Sequence, residues 1–140
     1  MQADPINDHH TFFAPHLFIS DCAAAIEFYK TAFGVVELQR WSNDDGSVHV
    51  AELSFEGAIF HIHEPTKQHQ HSPETVGGVT TSIGVFVEDP HATVKRAVEA
   101  GAKEMNPVQD YDYVHRHYRQ GTIVDPFGHQ WLIEKDLDKV

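Results

Sequence analysis

The 140-residue sequence holds one cysteine, Cys22, so no disulfide can form within the chain and thiol usage gives no reason to expect export. Cationic side chains are also scarce. Lysine and arginine number 10 against 21 aspartates and glutamates, a formal net charge of −11. Such a surface repels phosphate backbones and anionic lipid, which argues against nucleic-acid and membrane partners. No apolar run approaches the roughly 18 residues of a membrane span, and the opening MQADPINDHH carries neither a basic region nor an apolar stretch. A glycine-rich phosphate loop and a dinucleotide signature are absent too. The expectation is a cytoplasmic protein whose partner is a small molecule.

What remains is an ordinary globular composition, 41% hydrophobic and 22% charged, in a length that suits one core and not two. Histidine is abundant, at 12. His9, His10, His69 and His71 lie in polar stretches that read as solvated. Residues 1–13 have no period and read as a lead-in. From residue 14 to 64 the order is strand (APHLFIS), helix (CAAAIEFYKTAF, capped by Asp21 and closed by Gly34), then three strands: 35–41, 47–55 and 58–63. Asn43-Asp44-Asp45-Gly46 and Glu56-Gly57 supply the turns. Residues 65–79, with two prolines and paired glycines, read as a loop without structure of its own. Residues 80–135 then repeat the order: strand 80–87, a helix opened by Asp89-Pro90 and closed by Gly101, and strands near 105–113, 118–124 and 129–134. Two βαβββ units with little identity between them make an internal duplication of α+β class. Residues 14–140 are thus one domain of two modules, 14–64 and 80–135.

This pattern resembles the vicinal-oxygen-chelate superfamily, which includes glyoxalase I, extradiol dioxygenases and bleomycin-resistance proteins. The carrying residues are PHLFISD-CAAAIEFYKTAFG, SIGVFVEDPHATVKRAVEAGA and the tail TIVDPFGHQWLIEK. DPFGH followed by Gln-Trp is similar to its PhnB-like branch. The resemblance implies two tandem modules forming a cupped, partly open mixed sheet, a homodimer, and a small organic ligand held in the cup. It also implies a metal site at Ala14, His61, Ser82 and Leu132. Two of these carry no donor atom, and a serine hydroxyl is a poor ligand for zinc, nickel or iron. Two residues further along each strand stand His16, His63, Gly84 and Glu134, on the same faces. Two histidines and a carboxylate suit a divalent metal (Zn, Ni, Mn or Fe), and they equally suit a polar ligand pocket.

Three readings stand side by side: a ligand-binding or ligand-transforming protein without the usual four-ligand metal site, an antibiotic-sequestering binder without turnover, and a metal-dependent lyase, isomerase or dioxygenase. As an enzyme it would be lactoylglutathione-lyase-like or dioxygenase-like. The candidate general base is Glu134. The candidate ligand contacts are His16, His61, His63, Ser82, Tyr111, Tyr113, His115 and Trp131. Alternation along QDYDYVHRHY sets Tyr111, Tyr113, His115 and His117 on one face if the segment is extended, a wall suited to a flat or cationic aromatic molecule; the competing reading is an edge strand whose aromatics cover the sheet. Phe12, Phe13, Phe18, Phe28, Phe33, Phe55, Phe60 and Phe86 read as core, as does Cys22. Asp125-Pro126-Phe127-Gly128 reads as a structural turn.

Overall fold

The computed structural model of the chain describes residues 10–66 and 71–139. The lead-in up to residue 9 and loop residues 67–70, with His9 and His69, lie outside the described residues.

The first module runs β1 (His16–Phe18), α1 (Cys22–Phe33), β2 (Val36–Ser42), β3 (Val48–Phe55) and β4 (Ala58–His63). A short α2 (Pro73–Val76) follows. The second module is β5 (Ser82–Phe86), α3 (Pro90–Ala100), β6 (Lys103–Tyr113), β7 (Arg116–Val124) and β8 (Gln130–Asp136). Local chemistry accounts for the helix ends. The Asp21 carboxylate accepts from the Ala24 N–H at 3.1 Å, and the Asp89 carboxylate from the Ala92 N–H at 3.1 Å. Gly34 takes the left-handed conformation that ends α1, at φ 66°. The Arg96 guanidinium, reaching over from α3, donates to the carbonyl of Thr31 at 2.7 Å and so satisfies the last turn of α1.

Each module folds into a four-stranded sheet with the same order, β1-β4-β3-β2 and β5-β8-β7-β6. The first strand lies parallel to the last and the other pairings are antiparallel. One face of each sheet is covered and the other is open. Leu17, Ala51, Leu53, Phe60 and Ile62 of the first sheet, and Ile123, Trp131 and Ile133 of the second, face the helices in one continuous core. Tyr29 and Phe33 of α1 stand against Trp131 of β8, with ring centroids 5.5 and 5.0 Å away, so the first module's helix packs on the second module's sheet. The cupped α+β architecture expected from the sequence is the one observed.

Several local expectations need correction. Residues 65–79 contain the one-turn helix α2, begun by the Ser72 side chain on the Thr75 N–H and by Pro73; one turn is too short to leave a period. Phe12, Phe13 and Phe86 are 68%, 96% and 60% exposed instead of core. Phe86 falls on the open side because its strand neighbours Ile83 and Val85 take the covered side. The extended wall through residues 109–118 is broken by a turn at Val114-His115, which folds β7 back on β6. His115 therefore sits at an exposed hairpin tip, away from Tyr111 and Tyr113. His117 is taken up instead by Asp138, at 2.8 Å.

Candidate functional site

The open faces carry the polar and aromatic side chains that the core leaves out. On the first sheet, parallel pairing sets His16 opposite His61 and Phe18 opposite His63. The three imidazoles converge. His16 Nδ1 lies 2.8 Å from His63 Nε2, a hydrogen bond whose donor depends on the tautomers. The His16 and His61 rings stack face to face, with centroids 4.4 Å apart and planes 4° from parallel. Glu52, opposite His61 on β3, meets His61 Nε2 at 3.1 Å. The other ring nitrogen of His61 is buried without a hydrogen-bond partner among the described residues. Burial, and then the neighbouring His61, lower the pKa of His16.

On the second sheet, Glu134 stands opposite Phe86 of β5 and Gln120 of β7. Its carboxylate leans over Gly84, where a Cβ would come within 2.8 Å of Oε2. Desolvation holds the Glu134 pKa above the ordinary carboxylate value. Tyr111 and Tyr118 are paired across β6 and β7, with Tyr113 one step further along the hairpin.

Two crevices flank β5, one between it and β1 and the other between it and the β3–β4 hairpin. One, of about 480 Å³, is walled by His16, Phe18, Ser82, Gly84 and His129. The other, of about 540 Å³, is lined by Phe12, Phe13, Ile59, Phe60, Ile83 and Trp131, among others. Both fall in the size range of small-molecule sites. His129, nearly buried, bridges the modules by a 3.0 Å contact from Nε2 to the carbonyl of Phe18.

Of the sequence candidates, His16, His61 and His63 come together, Ser82 shares a crevice with His16, and Glu134, Tyr111 and Tyr113 share the open face of the second sheet. Trp131 belongs mainly elsewhere. It is 1% exposed and its Nε1–H donates to Asp125 at 2.9 Å, so it contributes a ring surface at the bottom of the apolar crevice and no polar atom. Sequence reasoning missed Glu52, Phe86 and Tyr118. It also underestimated Asp125, whose buried carboxylate takes hydrogen bonds from the Tyr29 hydroxyl, Trp131 Nε1 and the backbone of Phe127 and His129.

A family model for the glyoxalase/bleomycin resistance protein/dioxygenase superfamily matches residues 8–133. The chain belongs to this superfamily. An uncharacterized protein of Mycobacterium bovis is 33% identical over 131 residues, covering 91% of this chain and 84% of that protein. Among solved structures, TioX from Micromonospora sp. ML1 superposes with a TM-score of 0.69 at 25% identity, covering 89% of this chain and 95% of TioX. FosX, the fosfomycin resistance protein of Listeria monocytogenes, was solved with Mn(II) and a dihydroxypropylphosphonic acid. It superposes with a TM-score of 0.62 at 15% identity, covering 88% of this chain and 87% of FosX, a likeness of fold alone.

Superfamily membership raises the question of a metal, and the residues present do not fit one. Ala14 and Leu132 offer no donor atom, and in the shifted set Gly84 offers none. His16 Nδ1 and His63 Nε2 are directed at each other, and the stacked planes of His16 and His61 keep their lone pairs from a common centre. Among the described residues, no three His, Cys, Asp or Glu side chains are arranged to hold a metal ion.

Proposed function

We propose that this superfamily member binds a small organic molecule, without a metal, in the crevices that flank β5 and on the open sheet faces beside them. The observation that carries the reading is the crevice walled by His16, Phe18, Ser82 and Gly84. It has room for a ligand of about 480 Å³ and combines apolar walls with a few polar groups. Hydrocarbon side chains at Ala14 and Leu132, where the resemblance implies metal ligands, support binding without metal. The tail DPFGH-Gln-Trp supports a place in the PhnB-like branch.

The working unit is a homodimer in the cytoplasm, and a second copy closes the cup. Support comes from the exposed Val36, Leu38 and Trp41 along β2, the edge strand of the first sheet, at 58%, 49% and 43% exposure. Sequestration without turnover is the form of activity this arrangement favours, because Glu134 and the histidine cluster lie on different sheets and no hydrogen bond joins them among the described residues.

The test is a small-molecule library screened by thermal shift in the presence of EDTA, beside assays of ketoaldehyde–thiol adducts and catechols with added Ni, Zn, Mn and anaerobic Fe(II). Ligands that bind in EDTA and are recovered unchanged are the expected result. One metal per chain, lost in a His61→Ala/His63→Ala variant together with turnover, would overturn it.

A further inference from the structure

On the open face of the second sheet one carboxylate has no partner. The Glu134 side chain makes no hydrogen bond and no ion pair among the described residues, whereas Asp136, two residues further along β8 on the same face, lies 3.7 Å from the Arg116 guanidinium. A half-buried carboxylate left in this way loses water and gains nothing in exchange within the chain.

Its surroundings are specific. Phe86 on β5 and Tyr118 on β7 are separated by β8, yet their rings approach to 6.3 Å, so they lean toward each other above β8 next to Glu134. Tyr113 continues the row, with its ring 5.8 Å from Tyr118, and Tyr111 lies 6.4 Å beyond it. On the opposite side of Glu134 the missing side chain of Gly84 leaves the notch into which the carboxylate leans. Phe86 is 60% exposed, so this aromatic surface is open to a ligand. Ring faces attract cations through their quadrupole, and more so beside a carboxylate with few water contacts. The net charge of −11 draws cations toward the chain.

From this we propose that Glu134 and the Phe86–Tyr118 pair form an anchor for an organic cation, an ammonium carried on an apolar or aromatic frame. The carboxylate neutralises the charge and the rings enclose its apolar shell. The inference rests on the reading of the protein as a small-molecule binder and names the chemical class of that ligand's charged end. It also assigns Glu134 to binding, where the sequence suggested a general base.

Two probes of nearly equal shape separate charge from shape: N-methylquinolinium, permanently cationic, and quinoline, neutral at neutral pH. Each is titrated calorimetrically into the full chain and into the Glu134→Gln, Phe86→Leu and Tyr118→Leu variants, with thermal melts confirming that each variant is folded. The wild-type protein is expected to prefer the cation by about tenfold. Glu134→Gln should remove that preference while leaving quinoline binding unchanged, and either ring variant should weaken the cation more than the neutral probe. A fourth variant, Gly84→Ala, should also weaken the cation, because the added methyl occupies the place of Oε2. Equal binding of the two probes would overturn the anchor and leave the binder reading intact. A preference that survives Glu134→Gln would overturn it as well, as would failure of both probes to saturate. The binder reading itself is decided by the metal-free library screen.

Discussion

The hydroxyl of Tyr29, in the first module's helix, donates a 2.6 Å hydrogen bond to the carboxylate of Asp125, which begins the last turn of the second module. Both groups are buried, and they form a polar join between the halves beside the contacts of His129 with the Phe18 carbonyl and of Arg96 with the Thr31 carbonyl. The same carboxylate oxygen accepts from Trp131 Nε1, and the other oxygen from two backbone N–H groups of the turn. Burial and the Asp125 charge push the Tyr29 hydroxyl well above its ordinary pKa, so it stays a donor throughout the accessible pH range.

Removing the donor is cheaper than removing the acceptor. Tyr29→Phe deletes one of four hydrogen bonds to Asp125 and should cost about 1–3 kcal/mol in urea unfolding. Asp125→Ala strands a buried hydroxyl, an indole N–H and two backbone donors, and should cost more, about 3–5 kcal/mol. Equal losses for the two variants would mean that Asp125 acts through Tyr29 alone.

Cys22 should be inert in the folded protein. It is fully buried at the start of α1, and burial, with Glu64 and Asp21 nearby, pushes its thiol up to about 12. A disulfide reagent at mildly alkaline pH is expected to leave the native chain unmodified and to label one thiol per chain in denaturant. Rapid labelling without denaturant would show that the start of α1 opens locally.

The histidine cluster should make the fold sensitive to mild acid. Burial, and then the neighbouring His61, hold His16 below its ordinary value of 6.5. As pH falls through that value the unfolded chain takes up the proton first, so stability is lost between it and the lower pKa of the folded state. His16→Gln should flatten this part of the stability–pH curve, as read from urea midpoints. An unchanged slope would assign the acid sensitivity to other groups.

Glu134 has the opposite sense to a salt-bridged carboxylate. Its pKa is raised by desolvation, so the folded state binds the proton before the unfolded chain does, and stability rises as pH falls through the folded value. Above it, the charge opposes folding. Glu134→Gln should therefore raise the melting temperature at neutral pH, and the gain should fade in acid, where both states carry the proton. A lower melting temperature at neutral pH would mean that the carboxylate has a stabilising partner.

Much of this was legible in the sequence, and the reasons differ by residue. Asp21, Gly34, Asp89 and Gly101 mark helix ends through local chemistry, so α1 and α3 could be placed closely. The gathering of His16, His61 and His63 follows from two-residue alternation once β1 and β4 are paired. Glu52 was readable too. The Glu56-Gly57 turn pairs Phe55 with Ala58, and counting back three residues on β3 and forward three on β4 sets Glu52 opposite His61. Phe86 was misplaced because hydrophobicity was given more weight than the alternation of Ile83 and Val85. The Val114-His115 turn contains neither glycine nor proline and left no signal. Asp125 could not be read from its own neighbourhood, since its principal partner is 96 positions away in sequence.

The end of α1 has a consequence for synthesis. The Thr31 carbonyl in its last turn is satisfied by Arg96, 65 residues downstream, and its rings Tyr29 and Phe33 rest on Trp131, later still. A ribosome that has released only the first half has therefore produced a helix that lacks the Arg96 contact at its end and lies on a half-finished core. The nascent half must wait for its sibling, or borrow the same surfaces from another chain being made beside it. A gene fragment encoding one module alone would yield a product obliged to find a mate before it could close.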